Sequence, residues 1–256
     1  MIFFDTHAHM YDEAFDKDRD ELLKLLEKLE YKIVCPSENY ETSLQSIELS
    51  KKFKNLYAAI GIHPYFAEID KKCDLKKIFD LVKANSEVVA IGEIGLDYYD
   101  KNNNREIQKE YFINQINIAQ ETDLPVIIHD RKAHGDIFSI IKNMKKHNLR
   151  GIMHSFSGSI EFANEMIKSD FYISFAGPVA YKNSKRIKEI ARIIPLERML
   201  IETDSPYMTP PPFTGQRNTS LNLYYIAKEI AALRNISIEK IIEITYQNAM
   251  DIYGLK

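Results

Sequence analysis

Eight short β-branched or apolar runs, each followed by a longer stretch of helical period, constrain this fold more than any other feature. The runs fall at residues 2–6, 32–35, 56–60, 88–91, 125–129, 151–154, 171–175 and 198–201. Between them lie amphipathic stripes such as Leu22, Leu23, Leu25, Leu26 and Leu29. Tyr111, Ile113, Ile116, Ile118 and Ala119 form another, and Ile137, Phe138, Ile140, Ile141 and Met144 a third. Two further helical stretches, 221–233 and 237–253, follow the eighth run, and Ser237 is placed to cap the second, with Lys240 where a capping-box glutamate would stand. Eight strand–helix pairs over about 250 residues predict an α/β fold, a (β/α)8 TIM barrel. A doubly wound open sheet shares the alternation and is the competing arrangement.

With 256 residues, 45% of them hydrophobic, the chain can bury a large core. Its nine glycines and nine prolines are scattered, apart from Pro210-Pro211-Pro212, and no repeat of solenoid length is present. A single domain spanning 1–256 is expected. The formal charge is −3, from 34 basic and 37 acidic residues, so no broad basic surface is indicated. A local cluster or bound cations would have to supply any positive field. Cys35 and Cys73 match no metal or redox spacing and suit a reducing compartment. With neither a basic leader before an apolar stretch nor about 20 consecutive apolar residues, a cytoplasmic protein without a membrane partner is expected. The sequence sets no oligomeric state, and a monomer suffices.

In a barrel, catalytic side chains gather at the C-terminal ends of the strands. His7 and His9 close the first run, and residues i and i+2 of a strand share a face. His63 follows the third run in GIHP, and Glu93 the fourth in AIGEIGLDYY. His129 ends the fifth in PVIIHDR, and His154 the sixth in GIMHSFSG. Glu202 and Asp204 follow the eighth in LIETDSP. His134 and His147 fall in or beside the helix after the fifth run and stand outside this group. A lone histidine at a strand end is usually just hydrogen-bonded, and a lone Asp-Ser-Pro is usually a turn. Six strand ends carrying such residues together point instead to one cluster.

Imidazoles and carboxylates together suit Zn²⁺ or Mn²⁺, and Mg²⁺ where carboxylate and water dominate. Four histidines with two carboxylates exceed one tetrahedral site and serve two ions sharing a carboxylate. Such a pair activates water and stabilises a leaving oxygen, and Asp204 could orient that water and accept its proton. The residues alone therefore indicate metal-assisted hydrolysis.

The order H-x-H, GIHP, GEIGLDYY, PVIIH-x-R, GIMHSFSG and ETDSPY resembles the TatD family of metal-dependent hydrolases, within the amidohydrolase superfamily. The similarity runs from residue 3 to the C-terminal NAMDIYGL. It implies a barrel with two divalent cations (Mg, Mn or Zn). His7 and His9 would bind one, Glu93 would bridge, and His129 with His154 would hold the second. Asp204 would bind the first ion and act as general base. The resemblance also implies a deoxyribonuclease, often exonucleolytic on single strands, so DNA or another nucleic acid is the expected substrate. Some relatives are linked to removing D-amino acids from tRNA, which keeps an ester or amide hydrolase open, and a non-catalytic metal-binding scaffold is a third reading.

For substrate contacts, His63 could donate to a phosphate or leaving oxygen, or be purely structural. Arg131 could fork onto a phosphate or pair with Asp130. Tyr98, Tyr99 and Tyr207 could stack bases. Lys182, Lys185 and Arg186 read first as a solvated helix face. Two stretches depart from the family pattern. Thr214 and Thr219-Ser220 in PPPFTGQRNTS replace an arginine and a Glu-Pro, and Asp130-Arg131-Lys132 replaces a Ser-Arg-Asp-like run. Both are expected to shape the substrate groove.

Overall fold

The computed structural model describes residues 2–69, 75–100, 104–144 and 149–255. Eight parallel strands follow one another around a sheet in strict chain order, which excludes the doubly wound arrangement. They are β1 (Phe4–Asp5), β2 (Lys32–Pro36), β3 (Leu56–Ile60), β4 (Val88–Asp97), β5 (Val126–Arg131), β6 (Gly151–Met153), β7 (Phe171–Phe175) and β8 (Met199–Ile201). The connecting helices are α1 (Arg19–Lys28), α2 (Tyr40–Lys52), α3 (Pro64–Ile69), α4 (Leu75–Ala84), α5 (Arg105–Thr122), α6 (His134–Met144), α7 (Ile160–Lys168) and α8 (Lys185–Ile193). Two more, α9 (Leu223–Arg234) and α10 (Ile238–Tyr253), follow β8.

The barrel closes at its mouth. Asp204 N donates to His7 O at 2.9 Å and His9 N to Ser205 O at 2.7 Å, while Ala8 bridges Ser205 in parallel. Closing the sheet therefore brings the H-x-H segment beside the segment after β8.

Strand alternation divides the core in two. Ile33, Cys35, Ala58, Ile60, Val126 and Ile128 face outward and pack under the helices. Phe4, Val34, Ala59, Ile127, Ile152 and Leu200 face inward and form a second cluster with Ala249, Met250, Ile252 and Tyr253 of α10. That last helix plugs the end where the strands begin. Its Asn248 donates to Leu196 O and Met199 O, each at 2.8 Å, and Tyr253 Oη donates to Thr6 O at 3.1 Å. Ser237 caps it by accepting from Lys240 N at 3.2 Å, so the cap forms without its glutamate.

Some element boundaries differ from the sequence expectation. The helical stretch expected from 221 begins with a 3-10 turn (Ser220–Asn222) before α9. In α1 only Leu22, Leu23 and Leu26 are buried; Leu25 and Leu29 fall off the narrow face that a barrel helix turns inward. The largest difference is β4, which does not end at residue 91 but runs through Glu93 to Asp97. Between Ile91 and Ile94 it spends three residues where β5 spends two, Val126 to Ile128. Gly92 and Gly95 weaken the strand signal there, because glycine is a poor strand former. Cys35 is a free, buried thiol that accepts from Ser46 Oγ at 3.4 Å; Cys73 lies outside the described residues. Among the described residues, no helix is long and apolar enough to cross a membrane.

Candidate metal centre

Alternation that places Ile127, Ile152 and Leu200 inside the barrel carries the same face onward to its mouth. His129 and Arg131 follow Ile127 by two and four residues, His154 follows Ile152, and Glu202 and Asp204 follow Leu200. The resulting cavity, about 350 Å³, is lined by His9, His63, Glu93, His129, His154 and Asp204 among others. His7 lies fully buried beneath it.

Glu93 stands at the centre. Its Oε1 is 2.6 Å from His129 Nδ1, 3.2 Å from His154 Nε2 and 3.6 Å from His63 Nε2. Its Oε2 is 3.3 Å from His7 Nε2 and 3.9 Å from His9 Nε2. Asp204 Oδ1 lies 3.7 Å from His7 Nε2 and 3.4 Å from His9 Nε2, and those two nitrogens are 3.2 Å apart. One carboxylate thus touches two sets of imidazoles with different oxygens.

These separations test whether a cation fits. Four ligands about 2.1 Å from a tetrahedral ion stand roughly 3.4 Å from one another. The five measured separations among His7, His9, Asp204 and the Glu93 Oε2 atom run from 3.2 to 3.9 Å. Buried lone pairs converging at that spacing suit a cation, and the mixed nitrogen and oxygen donors suit a borderline divalent one. The second set, around Glu93 Oε1, is less open, because its 2.6 Å contact with His129 is a charge-assisted hydrogen bond. There a metal would replace a proton.

The electrostatics agree with that description. Burial alone would raise Glu93, but the His154 charge and bonds from His129, His154 and His7 hold it well below the usual carboxylate range. Asp204 is likewise lowered, burial being outweighed by its His9 bond and by the charges of His154 and His7. Burial would depress His129, but bonds to Asp97 and Glu93 lift it to about 9. His154 rises well above the ordinary imidazole value through Glu93 and Glu202, against burial. His7 and His63 go the other way, chiefly through burial, His63 to about 3.

Stability of the metal-free protein is therefore expected to peak near pH 6.5. The raised histidines contribute stability that is complete below their unfolded value of about 6.5 and disappears as pH rises through about 9 for His129. The lowered histidines and carboxylates contribute stability present above their unfolded values and lost as pH falls. Melting of chelator-treated protein at pH 5, 6.5 and 9.5 measures this. A Tm lower at both extremes by on the order of 5 °C is expected, and a Tm that climbs steadily to pH 9.5 would contradict it.

His63 has a defined tautomer. Its Nδ1 accepts from the Tyr65 backbone N–H at 3.1 Å, so a neutral ring carries its proton on Nε2, toward Glu93 and the cavity. Arg131 lines the same cavity, 55% exposed, its guanidinium stacked 3.9 Å from the centroid of Tyr99 and its Nη1 4.0 Å from Asp97. Its sequence neighbour Asp130 is not its partner but accepts from Ala133 N and faces His134 Nδ1 at 2.7 Å. Tyr207 also lines the cavity and is exposed. Tyr98 is buried, its hydroxyl donating to Asp136 at 2.8 Å, and offers no stacking face. Arg186, in α8, donates to Ser157 O at 2.7 Å. Thr214, Thr219 and Ser220 do not line the cavity: Thr214 is on an exposed turn and Ser220 is fully buried. Of the two departures from the family pattern, only the Asp130–Lys132 stretch reaches the groove.

Four residues given no role by the sequence complete the surroundings. Glu202 Oε1 is 3.0 Å from His154 Nδ1 and accepts from Ser155 N at 2.6 Å, while Oε2 accepts from Ser174 Oγ at 2.6 Å. His7, His154 and Glu202 also lie close enough to one another to hold an ion, with Glu202 bonded in the metal-free site to His154, Ser155 and Ser174. Asp97 Oδ2 is 3.2 Å from His129 Nε2. Carboxylates on the far nitrogen of a ligating imidazole fix its tautomer and raise its basicity. On His9 the corresponding nitrogen faces the Tyr11 hydroxyl, which in turn donates to Glu38. Glu202 was already named at the end of the eighth run, and Asp97 could have been found by parity, four residues after Glu93. Tyr11 and Glu38 carried no such signal.

The family model described as TatD related DNase matches residues 4–254. The chain belongs to the TatD family. An uncharacterized metal-dependent hydrolase of Bacillus subtilis, YabD, is 43% identical over 99% of this chain and 100% of its own length. The uncharacterized metal-dependent hydrolase YcfH of Escherichia coli is 32% identical over 100% of this chain and 97% of its own length. The crystal structure of the TatD homologue YjjV from Escherichia coli superposes with a TM-score of 0.93 at 27% identity, covering 99% of this chain and 98% of that one. This TatD-family chain is accordingly a metal-dependent hydrolase built on a (β/α)8 barrel.

Proposed function

We propose that this TatD-family hydrolase is a divalent-metal-dependent deoxyribonuclease that hydrolyses phosphodiesters from the ends of single-stranded DNA. The observation that carries this is Glu93, whose two oxygens face two separate sets of imidazoles, with Asp204 completing one of them. His7, His9, Asp204 and Glu93 would hold one ion; Glu93, His129 and His154 would hold the other. Bound there, two such ions supply Lewis acidity toward a phosphoryl oxygen and make water a nucleophile near neutral pH.

The remaining work belongs to the chain. Asp204, held ionised by its histidine neighbours, accepts the proton of the attacking water. His63 presents Nε2–H to the departing oxygen or to a non-bridging phosphate oxygen. Arg131, steadied against Tyr99 and half exposed, offers a planar fork to a phosphate. That fork favours phosphodiesters over simple esters, although attack on a carbonyl, as in a D-aminoacyl-tRNA deacylase, would use the same acceptor and ligands. Nucleic-acid chemistry of this kind also fits a cytoplasmic setting.

The test strips the protein of metal and restores Mg²⁺, Mn²⁺ or Zn²⁺ separately, with single-stranded DNA, duplex DNA, D-aminoacyl-tRNA and a simple ester compared. Progressive shortening of the single strand, with two ions bound per chain, is the expected result. Turnover of esters or aminoacyl-tRNA alone would overturn the nuclease reading. Binding without any turnover would favour a scaffold, and one ion per chain would contradict the paired site.

A further inference from the structure

Each imidazole around Glu93 must present a lone pair to a cation, which requires its proton on the far nitrogen. For His129 and His154 the far nitrogens face carboxylates, Asp97 at 3.2 Å and Glu202 at 3.0 Å. A carboxylate only accepts, so with a cation on the near lone pair the proton is held on the far nitrogen. His7 Nδ1 is buried with no hydrogen-bond partner. His9 is the unusual case. Its Nδ1 lies 3.0 Å from the Tyr11 hydroxyl, which can either accept from it or donate to it. Donation would put the His9 proton on Nε2, pointing into the His7–Asp204 cluster and blocking that nitrogen as a ligand.

Glu38 removes the ambiguity. Its Oε2 accepts from Tyr11 Oη at 3.2 Å, so the single hydroxyl proton is committed away from His9 and the phenol oxygen is left to accept. Glu38 is itself anchored at the start of α2. Its backbone N–H donates to Thr42 Oγ1 at 2.9 Å, within the Asn39–Thr42 capping box, and its carbonyl accepts from His63 N at 2.8 Å. The carboxylate also lines the cavity.

We infer that Tyr11 and Glu38 form a positioning relay that sets the His9 tautomer and thereby the cation affinity of the His7–His9–Asp204 half of the site, leaving the His129–His154 half untouched. The inference rests on the two-ion reading given above. It is specific to one half because the other two far-nitrogen partners come from elsewhere in the barrel, Asp97 from the end of β4 and Glu202 from just past β8, and each faces its own imidazole.

The experiment titrates metal-free protein with Mn²⁺ by calorimetry and reads histidine tautomers by long-range ¹H–¹⁵N correlation. Wild type is expected to bind two ions and, while the ring is neutral, to show His9 as the Nδ1–H form against the pull of Asp204 on Nε2. Tyr11→Phe, which keeps the ring, and Glu38→Ala are each expected to weaken one of the two binding steps by about 10- to 100-fold. Both should mix the His9 tautomers, and the double variant should be no worse than either single one. Glu38→Gln retains an acceptor oxygen and should restore most of the affinity. Equal weakening of both steps, or unmoved tautomers in both single variants, would overturn the relay while leaving the two-ion reading standing. A wild type that binds one ion would overturn that underlying reading instead.

Discussion

Asp204→Asn is expected to lower turnover of single-stranded DNA by about 10²- to 10⁴-fold, the range for losing a positioned general base. The substitution keeps size and planarity. The backbone bonds that frame the residue, Asp204 N to His7 O at 2.9 Å and Tyr207 N to Asp204 O at 2.9 Å, do not use its side chain. What disappears is a negative charge 3.4 Å from His9 Nε2 and 3.7 Å from His7 Nε2. An amide accepts no proton at neutral pH and is a poorer ligand, so kcat should fall together with occupancy of that half of the site. Metal content by elemental analysis, measured beside single-turnover cleavage, separates the two contributions. Retention of near wild-type kcat by a folded, metal-loaded variant would remove Asp204 from the chemistry.

Gly95→Ala is expected to destabilise the protein by more than about 4 kcal/mol, enough to prevent folding in a chain of ordinary stability. Gly95 has φ of +145°, a conformation L side chains rarely adopt, and a methyl group there would meet His129 O at 2.0 Å. That oxygen belongs to the backbone of β5 and cannot swing aside as a side chain would. The carbonyl belongs to a proposed ligand, so any molecule that does fold should also bind metal weakly at the His129–His154 half. Gly135→Ala makes the matched control, since nothing lies within 4 Å of the added carbon in the first turn of α6, and a change within about 0.5 kcal/mol is expected. Equilibrium denaturation of the two variants tests the contrast. A Gly95→Ala protein as stable as wild type would mean that β4 and β5 can separate without cost.

The same glycine explains why the sequence misplaced the end of β4. A strand is read from its side chains, and GEIGLD offers glycine where β5 approaches too closely to admit one. Glu93 was therefore expected just beyond a strand, when it lies inside one at a local irregularity that aims it at the barrel axis. Asp97, within the same GEIGLDYY stretch, went without a role because its partner His129 is on another strand. Tyr98 was one of three tyrosines that could stack bases, but the turn after β4 buries its ring and directs its hydroxyl to Asp136 on α6. Thr214 and Thr219-Ser220 were expected to shape the groove. Position in the chain suggested proximity, whereas the loop folds them away from the mouth.

Much of the candidate site was nonetheless legible. Hydrophobic periodicity dictated eight strands with helices between them, since apolar side chains must be buried and their spacing decides which element can bury them. His7, His9, Glu93, His129, His154 and Asp204 could be listed because imidazoles and carboxylates at strand ends have few purely structural uses in such number. Geometry could not be read the same way. Which oxygen of Glu93 faces which histidine, which nitrogen of each ring is free, and whether Arg131 pairs with Asp130 or stacks on Tyr99 depend on contacts across the barrel. The Tyr11–Glu38 contact joins residues 27 apart whose individual types imply nothing about histidine tautomers. Local composition determined the elements and the inventory of donors, because those follow from each residue's own chemistry. Only closure of the sheet decided the partners, because hydrogen bonds and charges act through distance in space rather than separation along the chain.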